Sequence, residues 1–413
     1  MGSQFKVKVE RQLNAIWYGG SGSYLIKSLI YLALPLVWLG RLGHFLWLNY
    51  IRPKYKFDSL IQKIKNRPVF IIVVGNITVG GTGKTPIVAK LCEQLCGLGY
   101  KPAVLSKGYL GRLVSTVEPH FIQAGEDSPQ DWGDEPVLLA NHFRENKKID
   151  CMVPVVVCKN RVTAIKSLLD TYSEVNIILT DDGLQDKNLR DLRQNLGERH
   201  LIKIAVIDAK RGLGNQKLLP AGPLRQAKSS LKNMDWIISH CVADLKLSVE
   251  PSPLTIQTII KDKKITKNIE NKTIHITSAI VSFEQINPKF PKAYYTPSDF
   301  VVAHNVVQAI TGIGHPERFF QNLQNLGLKI RPMAYPDHHD FKPEDLFFNN
   351  KTNNNEHLPI IITQKDAIKI QAFAHKIAVP IWVANLDIEG IEPLVKYISG
   401  CCTTWPYVPR HVG

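Results

Sequence analysis

From residue 67 onward, runs of Val, Ile and Leu alternate with segments of helical spacing. Strand-like runs fall at 69–75, 102–106, 153–157, 176–181, 204–208 and 235–239, and resume at 273–277, 306–311, 328–334, 360–364 and 379–384. Short β-branched runs separated by amphipathic stretches predict parallel strands with helices on both faces of a sheet. The polar, Lys-rich stretch 249–272 breaks the rhythm and reads as a linker or small hairpin. The pattern therefore predicts an N-terminal segment at 1–60, an α/β domain at 61–248, a linker at 249–272 and a second α/β domain at 273–413. The Asn-rich run 349–356 predicts a polar surface loop.

A different pattern occupies residues 24–52, where apolar positions dominate and Tyr31, Trp38, Trp47 and Tyr50 are interspersed. Between Lys27 and Arg41 the uncharged stretch is residues 28–40, about 20 Å as a helix. A hydrocarbon core is about 30 Å thick, so that stretch is short for a span. Extending it past Arg41 and His44 buries charge, and Pro35 would kink it. Aromatic residues of this kind suit a membrane interface. The expectation is a helix lying in or dipping into a membrane surface. A helix packed on the domain and a true span are the alternatives.

Hydrophobic residues make up 44% and charged residues 21% of the 413, which fits a globular chain with a sizeable core. The net charge of +15 suggests an anionic partner or lipid, but no block of consecutive basic residues forms an electrostatic tail. The seven cysteines include no CxxC pair or zinc-like spacing, and free thiols are expected.

The strand at 69–75 runs directly into Asn76-Ile77-Thr78-Val79-Gly80-Gly81-Thr82-Gly83-Lys84-Thr85-Pro86, and an amphipathic helix follows. Strand, Gly-rich turn and helix in that order are the context of a phosphate-binding loop, with a simple turn and helix cap as the alternative. Its glycines allow backbone N–H groups to turn toward a polyphosphate at a helix N-terminus. Thr78, Val79, Gly80, Gly81, Thr82, Gly83, Lys84 and Thr85 are the candidate residues for binding a nucleoside triphosphate. Lys84 would reach the β- and γ-phosphates and Thr85 would ligate Mg²⁺. Thr78 stands where the usual pattern has Gly. Asp181 and Asp182 end the strand at 176–181, where a P-loop enzyme places its metal-side carboxylate. Asp-Asp-Gly also makes a good turn. Asp134 and Glu135 precede a helix and suit capping as well as chemistry. His338 lies in the polar cluster Pro336-Asp337-His338-His339-Asp340 after an apolar strand.

Taken in order, these motifs resemble the tetraacyldisaccharide 4′-kinase family of lipid A biosynthesis in Gram-negative bacteria. The resemblance runs from Leu48-Asn49-Tyr50-Ile51-Arg52-Pro53 through the Gly-rich loop, Ser106-Lys107-Gly108-Tyr109, Gly133-Asp134-Glu135-Pro136 and Asp181-Asp182-Gly183-Leu184-Gln185. It continues through Leu219-Pro220-Ala221-Gly222-Pro223-Leu224-Arg225, Gly312-Ile313-Gly314-His315-Pro316, Asp337-His338 and Thr363-Gln364-Lys365-Asp366. Two departures stand out: Lys107 where the family usually has Arg, and Asp186 where it usually has His.

The resemblance implies a P-loop NTPase-like parallel-sheet domain, a second α/β domain and a membrane-associated N-terminal helix. It implies ATP and Mg²⁺ as cofactors and a tetraacylated glucosamine disaccharide 1-phosphate as acceptor. It further implies Asp134 as the group that takes the hydroxyl proton, His338 paired with it, and Lys84 at the γ-phosphate. Thr85, Glu135, Asp181 and Asp182 are implied at the metal. A monomer on the cytoplasmic face of the inner membrane is expected, with no nucleic-acid partner. Lys27, Arg41, Arg52, Lys54 and Lys56 would face lipid head groups, with solvated surface charge as the alternative for each. A dimerising membrane ATPase needs Lys where Val79 stands, and guanine recognition needs the lysine of Thr363-Gln364-Lys365-Asp366 one place earlier. An aromatic and basic stripe for nucleic acid is missing from the sequence.

Overall fold

The computed structural model describes residues 9, 12–19, 24–47, 50, 57–67, 69–197, 200–242, 260, 263–346 and 358–403. Strands β1 (Phe70–Gly75), β2 (Pro102–Ser106), β3 (His120–Phe121), β4 (Val155–Val157), β5 (Ile177–Asp181), β6 (Leu201–Asp208) and β7 (Trp236–Val242) form its N-terminal half. Strands β8 (Thr273–Gln285), β9 (Tyr294–Tyr295), β10 (Val306–Thr311), β11 (Lys329–Ala334), β12 (Ile360–Thr363) and β13 (Ile381–Glu389) follow. All belong to one sheet, ordered β11-β10-β12-β13-β8-β7-β6-β1-β5-β2-β4-β3, with β9 paired to β8. The pairings β1–β5, β1–β6, β2–β4, β2–β5, β6–β7, β10–β11, β10–β12 and β12–β13 are parallel. The alternating apolar pattern predicts the parallel strands; that both halves of the chain share one sheet is not written in it.

β8 is much longer than the 273–277 run suggests. Its first residues pair in parallel with β7, and its later residues pair antiparallel with β13. The sheet therefore continues from one half of the chain into the other. β13 also begins two residues later and ends five later than expected, and the two-residue strands β3 and β9 carry no sequence signal.

β1 shows why this region is the centre. Every residue in it is buried, yet alternate side chains serve different cores. Phe70, Ile72 and Val74 join the cluster that includes Val88, Leu91 and Leu95 of the helix Lys84–Gly97. Ile71 and Val73 join Val162, Ile165 and Leu168 of the helix Arg161–Thr171 on the other face. Period-two alternation with both faces covered is what a central parallel strand requires. Burying each of these Ile or Val side chains contributes about 1.5–3 kcal/mol, so the loop after β1 starts from a rigid support.

The N-terminal helix Tyr24–Leu46 contains Pro35. Leu29, Leu32, Leu36, Trp38, Leu39 and Leu42 are exposed along it. No helix among the described residues is long and apolar enough to cross a membrane. The side chain of Arg41 and residues Arg52, Lys54 and Lys56 lie outside what is described, as do the run 349–356 and most of 249–272. Within the latter, Lys263–Ile269 is helical.

The cysteine expectation needs one correction. Cys96 and Cys151 form a disulfide with their Cα atoms 6.2 Å apart, while Cys92, Cys158, Cys241, Cys401 and Cys402 remain thiols outside any disulfide. The paired residues are 55 apart in sequence. They meet because the helix after the Gly-rich loop packs beside the segment leading into β4, a proximity that sequence spacing does not reveal.

Candidate active site

The Gly-rich loop leaves β1 at its carboxyl end and folds back into the helix beginning at Lys84. Gly80 and Gly83 have φ of +94° and +79°, values that favour glycine. Asn76 Nδ2 donates to the Gly80 carbonyl at 3.3 Å and ties the loop across its base. Thr78 bridges antiparallel to Leu224, and the Val79 N–H donates to the Pro223 carbonyl at 2.8 Å. That amide is therefore committed to the protein. Thr78 is buried and Gly81 is exposed, so the loop presents itself from Gly80 onward.

Lys84 is the first residue of the helix, with its ammonium 3.6 Å from Asp182 Oδ1. Arg225 Nη1 holds the other oxygen of Asp182 at 2.8 Å. Asp182 sits at φ +52°, a strained conformation outside glycine that turns it away from the strand path. Burial pushes its carboxyl up, but Lys84 and Arg225 outweigh burial and leave it below the usual carboxylate range.

Asp181 behaves oppositely. It is 2% exposed, and neither carboxylate oxygen has a hydrogen-bond partner among the described residues. Burial, followed by the charge of Glu135, raises its pKa to about 7, and Lys84 pulls against that rise. A buried acid with two unpartnered oxygens is suited to receive a cation. The described residues contain no group of three or more His, Cys, Asp or Glu that closes into a metal cage.

Arg161, 2% exposed, supports this turn from behind. Its Nη2 donates to the carbonyls of Asp181 at 2.8 Å and Asp182 at 3.0 Å. Its Nη1 lies 3.1 Å from Asp186 Oδ2. Asp186 also caps the helix Lys187–Leu196 by accepting from the amides of Asn188 and Leu189. The departure from histidine at 186 thus supplies a charge partner for a buried guanidinium. Lys107 is exposed.

A second cluster gathers at the start of the helix Asp134–Glu145. Gly133 takes φ +97° ahead of it, and Asp134 is 9% exposed. Asp134 Oδ2 accepts from His338 Nδ1 at 3.0 Å and pairs with Lys369 Nζ at 2.9 Å. Burial raises the Asp134 carboxyl, but the His338 hydrogen bond and Lys369 outweigh it and hold the group below its ordinary value. Lys365 Nζ stands 3.3 Å from His338 Nε2 and 3.4 Å from Asp337 Oδ1. An ammonium only donates, so Nε2 is the acceptor and the Nδ1 proton goes to Asp134. His338 is held at φ +60°, with its N–H on the Gly312 carbonyl at 3.1 Å.

Lys365 and Lys369 lie one turn apart on the helix Gln364–Ile370, and Asp134 belongs to the other half of the chain. Glu135 links the two clusters electrostatically, because it bears on both Asp181 and Lys365. The sequence alone assigns no role to Arg161, Arg225, Lys365 and Lys369. The i, i+4 spacing of the two lysines is the one signal it carried. Thr85 is half-buried beside Lys84.

Comparison with known proteins gives a consistent result. The profile of the family described as tetraacyldisaccharide-1-P 4′-kinase matches residues 36–399. The tetraacyldisaccharide 4′-kinase of Legionella pneumophila strain Corby is 34% identical over 364 residues, covering 88% of this chain and 89% of that protein. The corresponding protein of Methylobacillus flagellatus is 33% identical over 382 residues, covering 91% of each. A crystal structure of LpxK from Aquifex aeolicus, an "apo" form in complex with ATP, shares the fold at a TM-score of 0.56. It is 22% identical and covers 91% of this chain and 99% of that one. Because the profile spans most of the chain and the relatives align nearly end to end, the chain belongs to the tetraacyldisaccharide-1-P 4′-kinase family and is a kinase.

Proposed function

We propose that Asp134, held by His338, and Lys84 on the Gly-rich loop carry out the kinase reaction in the cleft between the two halves of the chain. The reaction of the family is ATP-dependent phosphorylation of the 4′-hydroxyl of a tetraacyldisaccharide 1-phosphate, a step in lipid A biosynthesis. The observation that carries the residue assignment is the 3.0 Å contact between Asp134 and His338, which come from opposite halves.

In this reading the loop Gly80–Thr85 is a P-loop that cradles the ATP phosphates, and residues 61–248 are the nucleotide-side domain. Residues 273–413 bring His338, Lys365 and Lys369 to the acceptor, with 249–272 joining the two. Asp134 is ionised at neutral pH because its carboxyl is held low, so it is ready to take the proton of the attacking hydroxyl. A loose transition state asks little of the base, and its position matters more than its strength. His338 fixes which Asp134 oxygen stays free, since it and Lys369 both engage Oδ2. Lys84 places its charge on the transferring phosphoryl group.

The residues fit Mg²⁺. Thr85, Glu135, Asp181 and Asp182 supply hard oxygen donors, and Asp181 offers two buried, unpartnered oxygens. Mg²⁺ is commonly held by one or two carboxylates plus the nucleotide phosphates, without a full protein cage. Such an ion would neutralise charge on the phosphates. Glu135→Gln and Asp181→Asn should each raise the Mg²⁺ concentration for half-maximal activity about 10–100-fold. Activity titrated against Mg²⁺ at saturating ATP reads this directly. An unchanged midpoint with lowered kcat would remove these residues from the metal.

The helix Tyr24–Leu46 is proposed to lie on the cytoplasmic face of the inner membrane, with the protein acting as a monomer. Leu32, Leu36 and Leu39 share one face at helical spacing and are 76, 73 and 65% exposed. An apolar face of this kind binds a bilayer in proportion to its buried area. Replacing the three together with Glu should lower co-sedimentation with anionic phospholipid vesicles by about tenfold or more. Undiminished pelleting would move the contact elsewhere.

A further inference from the structure

His240, at the end of β7, packs against the Gly-rich loop and is 3% exposed. Its Nδ1 lies 2.8 Å from the Thr82 carbonyl oxygen, and its Nε2 lies 2.9 Å from Arg318 Nη2. Arg318 belongs to the helix Pro316–Asn325 in the C-terminal half. It also pairs with Asp208 Oδ2 at 3.4 Å and donates to Ser278 Oγ at 3.3 Å.

These contacts fix the tautomer. A guanidinium has no acceptor, so Nε2 must carry the lone pair. The ring proton is then on Nδ1, and it is donated to the Thr82 carbonyl. Burial, followed by the Arg318 charge, pushes the His240 pKa down to about 3, in agreement with a neutral ring.

The Thr82 carbonyl and the Gly83 N–H belong to one trans peptide plane and point opposite ways. A carbonyl held toward His240 therefore turns the Gly83 amide away from β7. The ring also closes the space behind this peptide, since a Cβ built on Gly83 would lie 2.4 Å from His240 Cε1. Gly314, next to His315 and Pro316, approaches the same loop from the C-terminal half, where its Cβ would come 3.4 Å from the Gly81 nitrogen.

We propose that His240 and Arg318 are positioning residues for the nucleotide. Through the tautomer that Arg318 imposes, His240 holds the Thr82–Gly83 peptide so that the Gly83 amide faces the ATP phosphates. The inference rests on the reading of this loop as nucleotide-binding. It makes the shape of the phosphate site depend on a residue from the opposite half of the chain.

The test is equilibrium binding of ATP with Mg²⁺ to the full chain and to three variants, alongside the KM for the lipid acceptor and a thermal melt of each. Asparagine can place an amide N–H near the position of Nδ1, so His240→Asn should bind ATP within about fivefold of the unsubstituted protein. His240→Ala should bind about 10–100-fold more weakly, as expected for a lost buried hydrogen bond. Arg318→Met, which frees the tautomer, should lose about 3–10-fold, and the lipid KM should stay unchanged throughout. ATP affinity of His240→Ala within twofold of the unsubstituted protein overturns the proposal. So does a His240→Asn variant as weak as His240→Ala, because ring bulk and not the N–H would then matter. If His240→Ala does not fold, Arg318→Met decides alone, and unaltered ATP binding by it is the contrary result. Failure of the unsubstituted chain to bind ATP would instead remove the nucleotide reading of the loop.

Discussion

Asp134→Asn lowers kcat about 10²–10⁴-fold while the ATP affinity stays within a few-fold of the unsubstituted enzyme. The substitution keeps the shape and a hydrogen-bond acceptor for His338 but removes the group that takes the hydroxyl proton. The site gives specific reasons to expect that split. Asp134 contacts His338 and Lys369, whereas Lys84 and Thr85 lie on the loop with Asp182 as the near carboxylate. In this reading the Asp134 cluster serves the acceptor and the Gly-rich loop serves the phosphates. His338→Ala should show the same pattern with a smaller loss, because Lys369 still pairs with Asp134. Pre-steady-state turnover and direct ATP binding separate the two quantities. Equal losses in both would mean that Asp134 supports the nucleotide pocket and does not act on the acceptor.

The second large effect is at Lys84. Lys84→Met should reduce kcat/KM for ATP by about 10³–10⁵-fold, the range associated with removing a cation from a transferring phosphoryl group. In this structure Lys84 rests 3.6 Å from Asp182, a carboxylate that Arg225 also holds at 2.8 Å. The lysine can thus turn to a phosphate without leaving Asp182 unpaired. The methionine variant keeps the stem packed and should melt within a few degrees of the unsubstituted protein. A loss smaller than about tenfold would put the phosphate-facing charge on another residue, and Arg225 is the next to test.

Much of this was legible in the sequence, for identifiable reasons. A central parallel strand is written as an uninterrupted apolar run, and β1 and β5 follow that rule. The turns after them are written in residues whose backbone demands are local, such as Gly80 and Gly83. Asp181 and Asp182 were legible because the end of a parallel strand is where chemistry is placed in such folds. What stayed hidden depends on long-range approach. Lys365 and Lys369 read as ordinary surface lysines of a short helix until β12 brings them against Asp134. Val79 reads as part of the binding loop until Pro223 takes its amide. The full length of β8 was hidden because the strand alternates along its whole length and, past Thr277, its half-buried positions carry small or polar residues such as Ala279, Ser282 and Glu284, a weaker signal than a solid apolar run. The Cys96–Cys151 pairing joins elements with no shared motif. The role of Asp186 emerges only beside the buried Arg161.

The most direct measurement is phosphoryl transfer itself. Detergent-solubilised tetraacyldisaccharide 1-phosphate is incubated with the purified chain, ATP and Mg²⁺, and the product is located by phosphorus NMR. The structure and family membership predict a new phosphomonoester at the 4′ position, formed with one ADP per ester and lost in Asp134→Asn. Binding of ATP without any 4′-phosphorylated product, under conditions where the acceptor is dispersed and accessible, would contradict the account.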